Sequence, residues 1–141
     1  MSDLSSDLNM RPPLKDFQGR WRFERQIDHA DGDPATVTGR AVFTPVDEGL
    51  RYDETGELRL NDGPPMTATR SYLWHEGGVV LFEDGRDFHI IPDTHATATH
   101  LCGDDTYVVR YDFSAWPNWT SQWTVTGPKK SYVMITTYRP G

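Results

Sequence analysis

Residues 66–91 read MTATRSYLWHEGGVVLFEDGRDFHII and predict three short β-strands joined by two tight turns. In Met66–His75, large side chains alternate with small or polar ones, which is typical of a strand with one buried face. Glycine-containing turn signals at 76–78 and 84–85 separate this run from Val79–Phe82 and from 86–91. The stretch has no apolar periodicity typical of a helix. The alternation and the two tight turns therefore indicate an antiparallel sheet.

The same alternation continues on both sides of this stretch. Strands are predicted at 17–27, 35–44, 48–60, 94–102, 105–113, 119–126 and 131–139, with breaks rich in Gly, Pro, Asn and Asp between them. A long meander with right-handed twist tends to close on itself, because closure removes its exposed edges. The sequence therefore predicts an all-β, antiparallel up-and-down barrel of about eight to ten strands. A two-sheet sandwich is the alternative.

Length and composition narrow the class of protein. The chain has 141 residues, which suits one domain, and we predict a tail at 1–16 followed by a barrel domain at 17–139. The net charge of −7 argues against nucleic acid or an anionic membrane as the partner.

The single cysteine, Cys102, cannot form an internal disulfide, so the fold needs no oxidising compartment. Residues 1–16 lack signal-peptide features, and we expect a cytoplasmic protein. The sequence leaves the oligomeric state open, a homodimer included.

Gly19-Arg20-Trp21 lies in the first predicted strand and Arg139 lies in the last one. Such a glycine lets the chain cross a barrel floor closely while the indole plugs one end; the alternative is a core tryptophan after a bulge glycine. In a closed barrel the first and last strands are neighbours, so we expect Arg139 to stack on Trp21 as a cation–π pair. This combination resembles the lipocalin and calycin pattern. The resemblance implies a barrel that holds a small ligand, closer to the intracellular members than to the secreted ones.

A second resemblance covers four short segments. They are FQGRW at 17–21, DGRDFH at 84–89, the segment 100–107 and WTVTGPKK at 123–130. Together they resemble a bacterial and fungal family described as a domain of unknown function. This resemblance implies a lipocalin-like fold and no particular activity.

The interior of the predicted barrel is the candidate ligand site. A filled interior would be aliphatic, whereas the inward registers here carry aromatic rings with polar tips and several charges. This profile predicts a ligand cavity. The alternative is a filled barrel with an internal Glu54–Arg70 ion pair. The candidate ligand-binding residues are Glu54, Arg70, Tyr72, Trp74, His89, His100, Tyr107, Tyr111 and Trp123.

Arg70 and Tyr72 share one face of their strand, two residues apart. A guanidinium binds a carboxylate through two parallel hydrogen bonds, and a nearby hydroxyl adds a third. We therefore predict a small-molecule ligand that is partly aromatic or apolar and that carries an acidic group. The alternative partner of Arg70 is Glu54 or Asp53.

The histidines support a different hypothesis. Alternation in 86–91 places His89 on the face opposite Phe88. If the next strand pairs with it, His89 and His100 face each other beside Cys102, which are the residue types of a His/His/Cys metal site. Haem bound through one histidine is a further alternative. Because spacings such as C-x-x-C and H-E-x-x-H are lacking, neither a metal nor another cofactor is predicted.

An enzyme on the same scaffold is the alternative to a binding protein. The sequence has no G-x-S-x-G nucleophile motif. A general acid–base set would require His100, Asp105 and Tyr107 to converge. Such a set would serve an isomerase, lyase or hydrolase, and the sequence leaves open whether any reaction is catalysed.

Overall fold

Ten antiparallel strands follow one another along the chain in a computed structural model. The structure describes residues 10–61, 63–93 and 97–141, and of Thr97, Ala98 and Cys102 it describes only the backbone. The strands are β1 (Gly19–His29), β2 (Ala35–Val46), β3 (Gly49–Leu60), β4 (Met66–His75), β5 (Val79–Phe82), β6 (Asp87–Ile90), β7 (Thr97–Cys102), β8 (Asp105–Asp112), β9 (Trp119–Thr126) and β10 (Ser131–Pro140).

The predicted strands are confirmed, with small shifts at their ends. Phe17 differs, since it closes a short 3₁₀ helix at Leu14–Phe17 instead of opening β1. The predicted start of the seventh strand, at 94–96, lies outside the described residues. No helix in the described part of the chain is long and apolar enough to cross a membrane.

All ten strands belong to one sheet in which sequence neighbours pair and β1 also pairs with β10. This is a nearly closed up-and-down barrel, as predicted, and one continuous sheet excludes the two-sheet sandwich. The strands β6 and β7 form the two ends of the sheet order, without a described ladder between them. We call this interval the seam.

Aromatic rings fill one end of the barrel, which we call the closed end. Phe17 lies at the centre of this cluster, with its ring centroid 4.9 Å from that of Trp116 and 5.4 Å from that of Trp119. Trp21 donates its indole N–H to the Phe17 carbonyl over 2.8 Å. The turns that follow β1, β3, β7 and β9 lie at the opposite, open end.

The structure corrects two expectations about the barrel floor. Gly19 has φ of +120°, and a Cβ added to it would meet nothing within 4 Å, so backbone conformation and not close approach explains the glycine. Arg139 does not stack on Trp21. It pairs in register with Arg22, one residue further on, and alternation therefore turns it outward while Trp21 is buried. The outer Arg139 lies 3.9 Å from Glu24 instead.

A register shift in the β5–β6 hairpin corrects a third expectation. The shift lies between Val80 and Leu81, and it breaks the strict alternation of β6. As a result Phe88 and His89, which alternation would place on opposite faces, are both buried, with 1% and 5% of their surfaces exposed.

Candidate functional site

A buried ion pair crosses the middle of the barrel. Both terminal nitrogens of the Arg25 guanidinium on β1, Nη1 and Nη2, donate to the Glu54 carboxylate on β3, at 2.7 and 2.9 Å. The Nε of Arg25 donates to the Thr136 hydroxyl on β10 over 2.8 Å. The alternative of an internal ion pair is therefore correct for Glu54 but wrong in its partner. Glu54 pairs with Arg25 on β1 and not with Arg70, its neighbour on β4.

Two tyrosines complete this network. The Tyr52 hydroxyl donates to Glu54 over 2.6 Å and lies 3.0 Å from the Tyr138 hydroxyl. Burial by itself would raise the pKa of Glu54, but the bonds from Arg25 outweigh it and leave that pKa below its usual value. Burial would lower the pKa of Arg25, and the bond to Glu54 reverses that effect. Both groups are therefore charged at neutral pH.

A cavity of about 20 Å³ lies inside the barrel beside this network. That volume holds about one water molecule, so side chains fill most of the interior. The interior is therefore closer to the alternative of a filled barrel than to the predicted ligand cavity. Six of the predicted ligand-binding residues line it: Glu54, Arg70, Tyr72, Trp74, Tyr111 and Trp123. The structure therefore brings these residues together around a space the size of one oxygen atom.

Arg70 and Tyr72 also line a second space, a groove of about 450 Å³ that is open to solvent. Phe82, Asp84 and Arg86 form much of the rest of this groove. Arg70 and Tyr72 thus separate the cavity from solvent. Burial raises the pKa of the Tyr72 hydroxyl, and the charge of Arg70 opposes that rise.

Within the described part of the chain, Arg70 forms no ion pair. Its guanidinium lies 5.9 Å from the Trp123 ring centroid, and its Nη2 lies 3.8 Å from the Met134 sulfur. Both contacts are weak compared with a carboxylate.

The charge of Arg70 also acts on the Tyr72 hydroxyl and on the Glu54 carboxylate. That carboxylate already forms two hydrogen bonds with Arg25. Arg70 is therefore a second cation beside a carboxylate that is already paired, and its guanidinium has donors left for an anionic ligand.

His89 does not line the cavity itself but contacts Tyr111, a residue of the cavity wall. Its Nε2 is 2.9 Å from the Tyr111 hydroxyl, which itself lines the cavity. Burial, helped by the charge of His100, lowers the pKa of His89 to about 3. Among the described residues, the buried Nδ1 of His89 and the buried Nε1 of Trp123 have no hydrogen-bond partner.

His100 and Tyr107 do not line the cavity. They are cross-strand neighbours on β7 and β8, and their rings pack against Phe88 at 5.6 and 5.3 Å. Asp105 bonds Lys130 at 3.3 Å on the surface, so the acid–base set that an enzyme would need does not converge on the cavity.

The metal hypothesis involved His89, His100 and Cys102, and the side chain of Cys102 lies outside the described part. Among the side chains that are described, no group of three His, Cys, Asp or Glu could hold a metal ion.

Sequence reasoning missed the main polar partners of the site, Arg25, Ser121, Thr136 and Tyr138. The signal was present for Arg25, because it continues the alternating series of Trp21 and Phe23. A charged residue in an inward register indicates a buried partner, and Glu54 was the available one.

Comparison with known proteins supports the fold described above. The solved structure of an S-type phycobiliprotein lyase, CPES, from Guillardia theta superposes with a TM-score of 0.57. It shares 11% sequence identity, over 91% of each chain, and this likeness shows a common fold. No curated protein matches the sequence significantly. The profile of a family of unknown function, DUF6314, matches residues 17–140. Since that match spans most of the chain, the protein belongs to the DUF6314 family.

Proposed function

We propose that this protein binds a small molecule where Arg70 and Tyr72 separate the internal cavity from the open groove. The observation that carries the proposal is the position of Arg70, half-buried between two spaces and without an ion pair in the described part of the chain. Glu54 is the nearby carboxylate, but it forms its ion pair with Arg25, so two cations share one negative charge. A partly desolvated cation whose charge is not fully balanced is unfavourable. An anionic ligand would supply the missing partner.

The two spaces limit the shape of the ligand. The cavity of about 20 Å³ accepts one atom of oxygen size, whereas the groove of about 450 Å³ has room for a ring system. Tyr72 and Phe82 give the groove aromatic surface. We therefore propose a ligand with an aromatic or apolar body in the groove and an acidic end at Arg70. The fold shared with a phycobiliprotein lyase is consistent with a ligand-handling barrel.

Titration with naphthoate tests this proposal, because Trp74 and Trp123 line the cavity and their fluorescence should report occupancy. Saturable quenching is expected. In Arg70→Gln the affinity should fall about tenfold, which corresponds to the loss of one charge-assisted hydrogen bond. The matched control is Arg110→Gln, since Arg110 is exposed on β8. The proposal fails if the wild-type protein shows no saturable binding, or if both variants weaken it equally.

A further inference from the structure

The buried pair of His89 and Tyr111 determines which hydrogen-bonding groups the cavity offers. Tyr111 belongs to the cavity wall, and its hydroxyl lies 2.9 Å from Nε2 of His89. The other ring nitrogen, Nδ1, is buried and has no partner among the described residues. The hydrogen bond can run in either direction, and the direction depends on which nitrogen carries the proton.

The unpartnered Nδ1 decides between the two tautomers. With the proton on Nδ1, a buried N–H would have no acceptor in the described structure. With the proton on Nε2, that N–H is satisfied by the Tyr111 oxygen, and Nδ1 keeps only an unused lone pair. Orphaned buried donors are rarer and costlier than under-used acceptors. The arrangement therefore favours an Nε2–H that donates to Tyr111.

Once its oxygen accepts from His89, the Tyr111 hydroxyl has its own hydrogen free to donate. Trp123 contributes a second donor to the same wall, because its buried Nε1–H completes no hydrogen bond among the described residues. Burial raises the pKa of the Tyr111 hydroxyl, and this N–H lies close enough to that hydroxyl to oppose the rise. Arg70 contributes a third donor, and a guanidinium can only donate.

Arg70, Tyr111 and Trp123 thus give donors to the cavity wall. The Glu54 carboxylate lies in the same wall, but its oxygens already accept from Arg25 and Tyr52. The space between these groups is about the size of one oxygen atom.

We infer that the cavity is an acceptor-oxygen site that selects carboxylate ligands, and that His89 is the positioning residue that sets its donor character. This inference rests on the proposed function and names the group that the site recognises. A carboxylate oxygen carries lone pairs and no hydrogen, so it can satisfy all three donors at once. An amide nitrogen at the same place would point its own N–H donors at the donors of the cavity, and no hydrogen bond would form between them.

Binding of naphthoate and of naphthamide, which share the ring and differ in the acceptor group, tests the selectivity. The wild-type protein should prefer naphthoate by about tenfold or more, as expected when a charged acceptor meets buried donors. Tyr111→Phe and His89→Leu should each lower this preference several-fold. His89→Gln should restore part of it, because its side-chain amide can also donate to Tyr111.

Nitrogen-15 NMR of the wild-type imidazole gives a readout that needs no variant. Chemical shifts of an Nε2–H tautomer of His89 are expected, and an Nδ1–H tautomer would overturn the inference. Equal affinity for naphthoate and naphthamide would also overturn it. If Arg70→Gln still weakens naphthoate binding in that case, binding at Arg70, and with it the proposed function, stands. If neither compound binds, the inference and the proposed function fail together.

Discussion

Among single residues, His89 shows most clearly how burial controls chemistry in this barrel. The imidazole is 95% buried beside Phe88, and burial lowers its pKa from 6.5 to about 3. The ring is therefore neutral in the folded protein at any pH near neutrality. In the unfolded chain, the same ring binds a proton below about pH 6.5.

This difference predicts a pH-dependent stability. Between pH 6.5 and about 3 the unfolded state binds a proton that the folded state does not, so acid favours unfolding. The contribution is about 1.4 kcal/mol of lost stability for each pH unit below that upper limit. Urea unfolding of the wild type and of His89→Gln, from about pH 7 to about pH 5, measures it. The variant should lose this slope, whereas His29→Gln, an exposed histidine, should keep it. Equal slopes in the wild type and His89→Gln would contradict the assignment.

Among the elements, β2 and β3 lie close together at a pair of facing glycines. Gly39 and Gly56 face each other in the register of these strands. A Cβ added at Gly39 would lie 2.1 Å from the Thr55 carbonyl oxygen and 2.5 Å from the Cα of Gly56. Both obstacles are backbone atoms, so the strands themselves would have to move apart.

Gly39→Ala should therefore destabilise the protein by about 1–3 kcal/mol, the usual cost of overpacking. The midpoint and slope of urea unfolding measure the change. Thr38→Ala, at the exposed neighbouring position on β2, serves as the control and should cost less. A Gly39→Ala protein as stable as the wild type would show that the two strands can separate freely at this point.

At the scale of the whole molecule, the Arg25 network ties together three strands that are distant in sequence. Arg25 on β1 reaches Glu54 on β3 and Thr136 on β10, and both charged side chains are at least 95% buried. Removing one member leaves an uncompensated charge inside the barrel. The network should therefore affect global unfolding and not a local opening.

Glu54→Gln is expected to lower the free energy of unfolding by about 3–5 kcal/mol. The exposed Glu57→Gln on the same strand is the matched control and should change it little. Because the folded pKa of Glu54 is depressed, its contribution is present above the unfolded pKa and is lost as the pH falls through the folded pKa. Chemical denaturation at neutral pH distinguishes the variants, and equal stabilities would show that the ion pair contributes nothing net.

Local sequence patterns were sufficient to predict the strands and several of the residues that line the cavity. Turn residues mark where strands stop, and alternation along β4, β8 and β9 placed Arg70, Tyr111 and Trp123 on inward registers. Local patterns could not predict which side chains form ion pairs across the barrel. Several inward registers could face Glu54, and nothing local distinguishes Arg25, which lies 29 residues away, from Arg70.

The sequence alone determined an antiparallel meander that closes into a barrel, because turn chemistry and period-two alternation act over a few residues. Only the tertiary structure decided which charges pair, how small the cavity is and where His89 points. Those properties depend on the stagger of strands around the barrel and on one register shift in the β5–β6 hairpin. A displacement of one residue reverses the face of every side chain beyond it, and packing of the closed barrel selects among the alternatives.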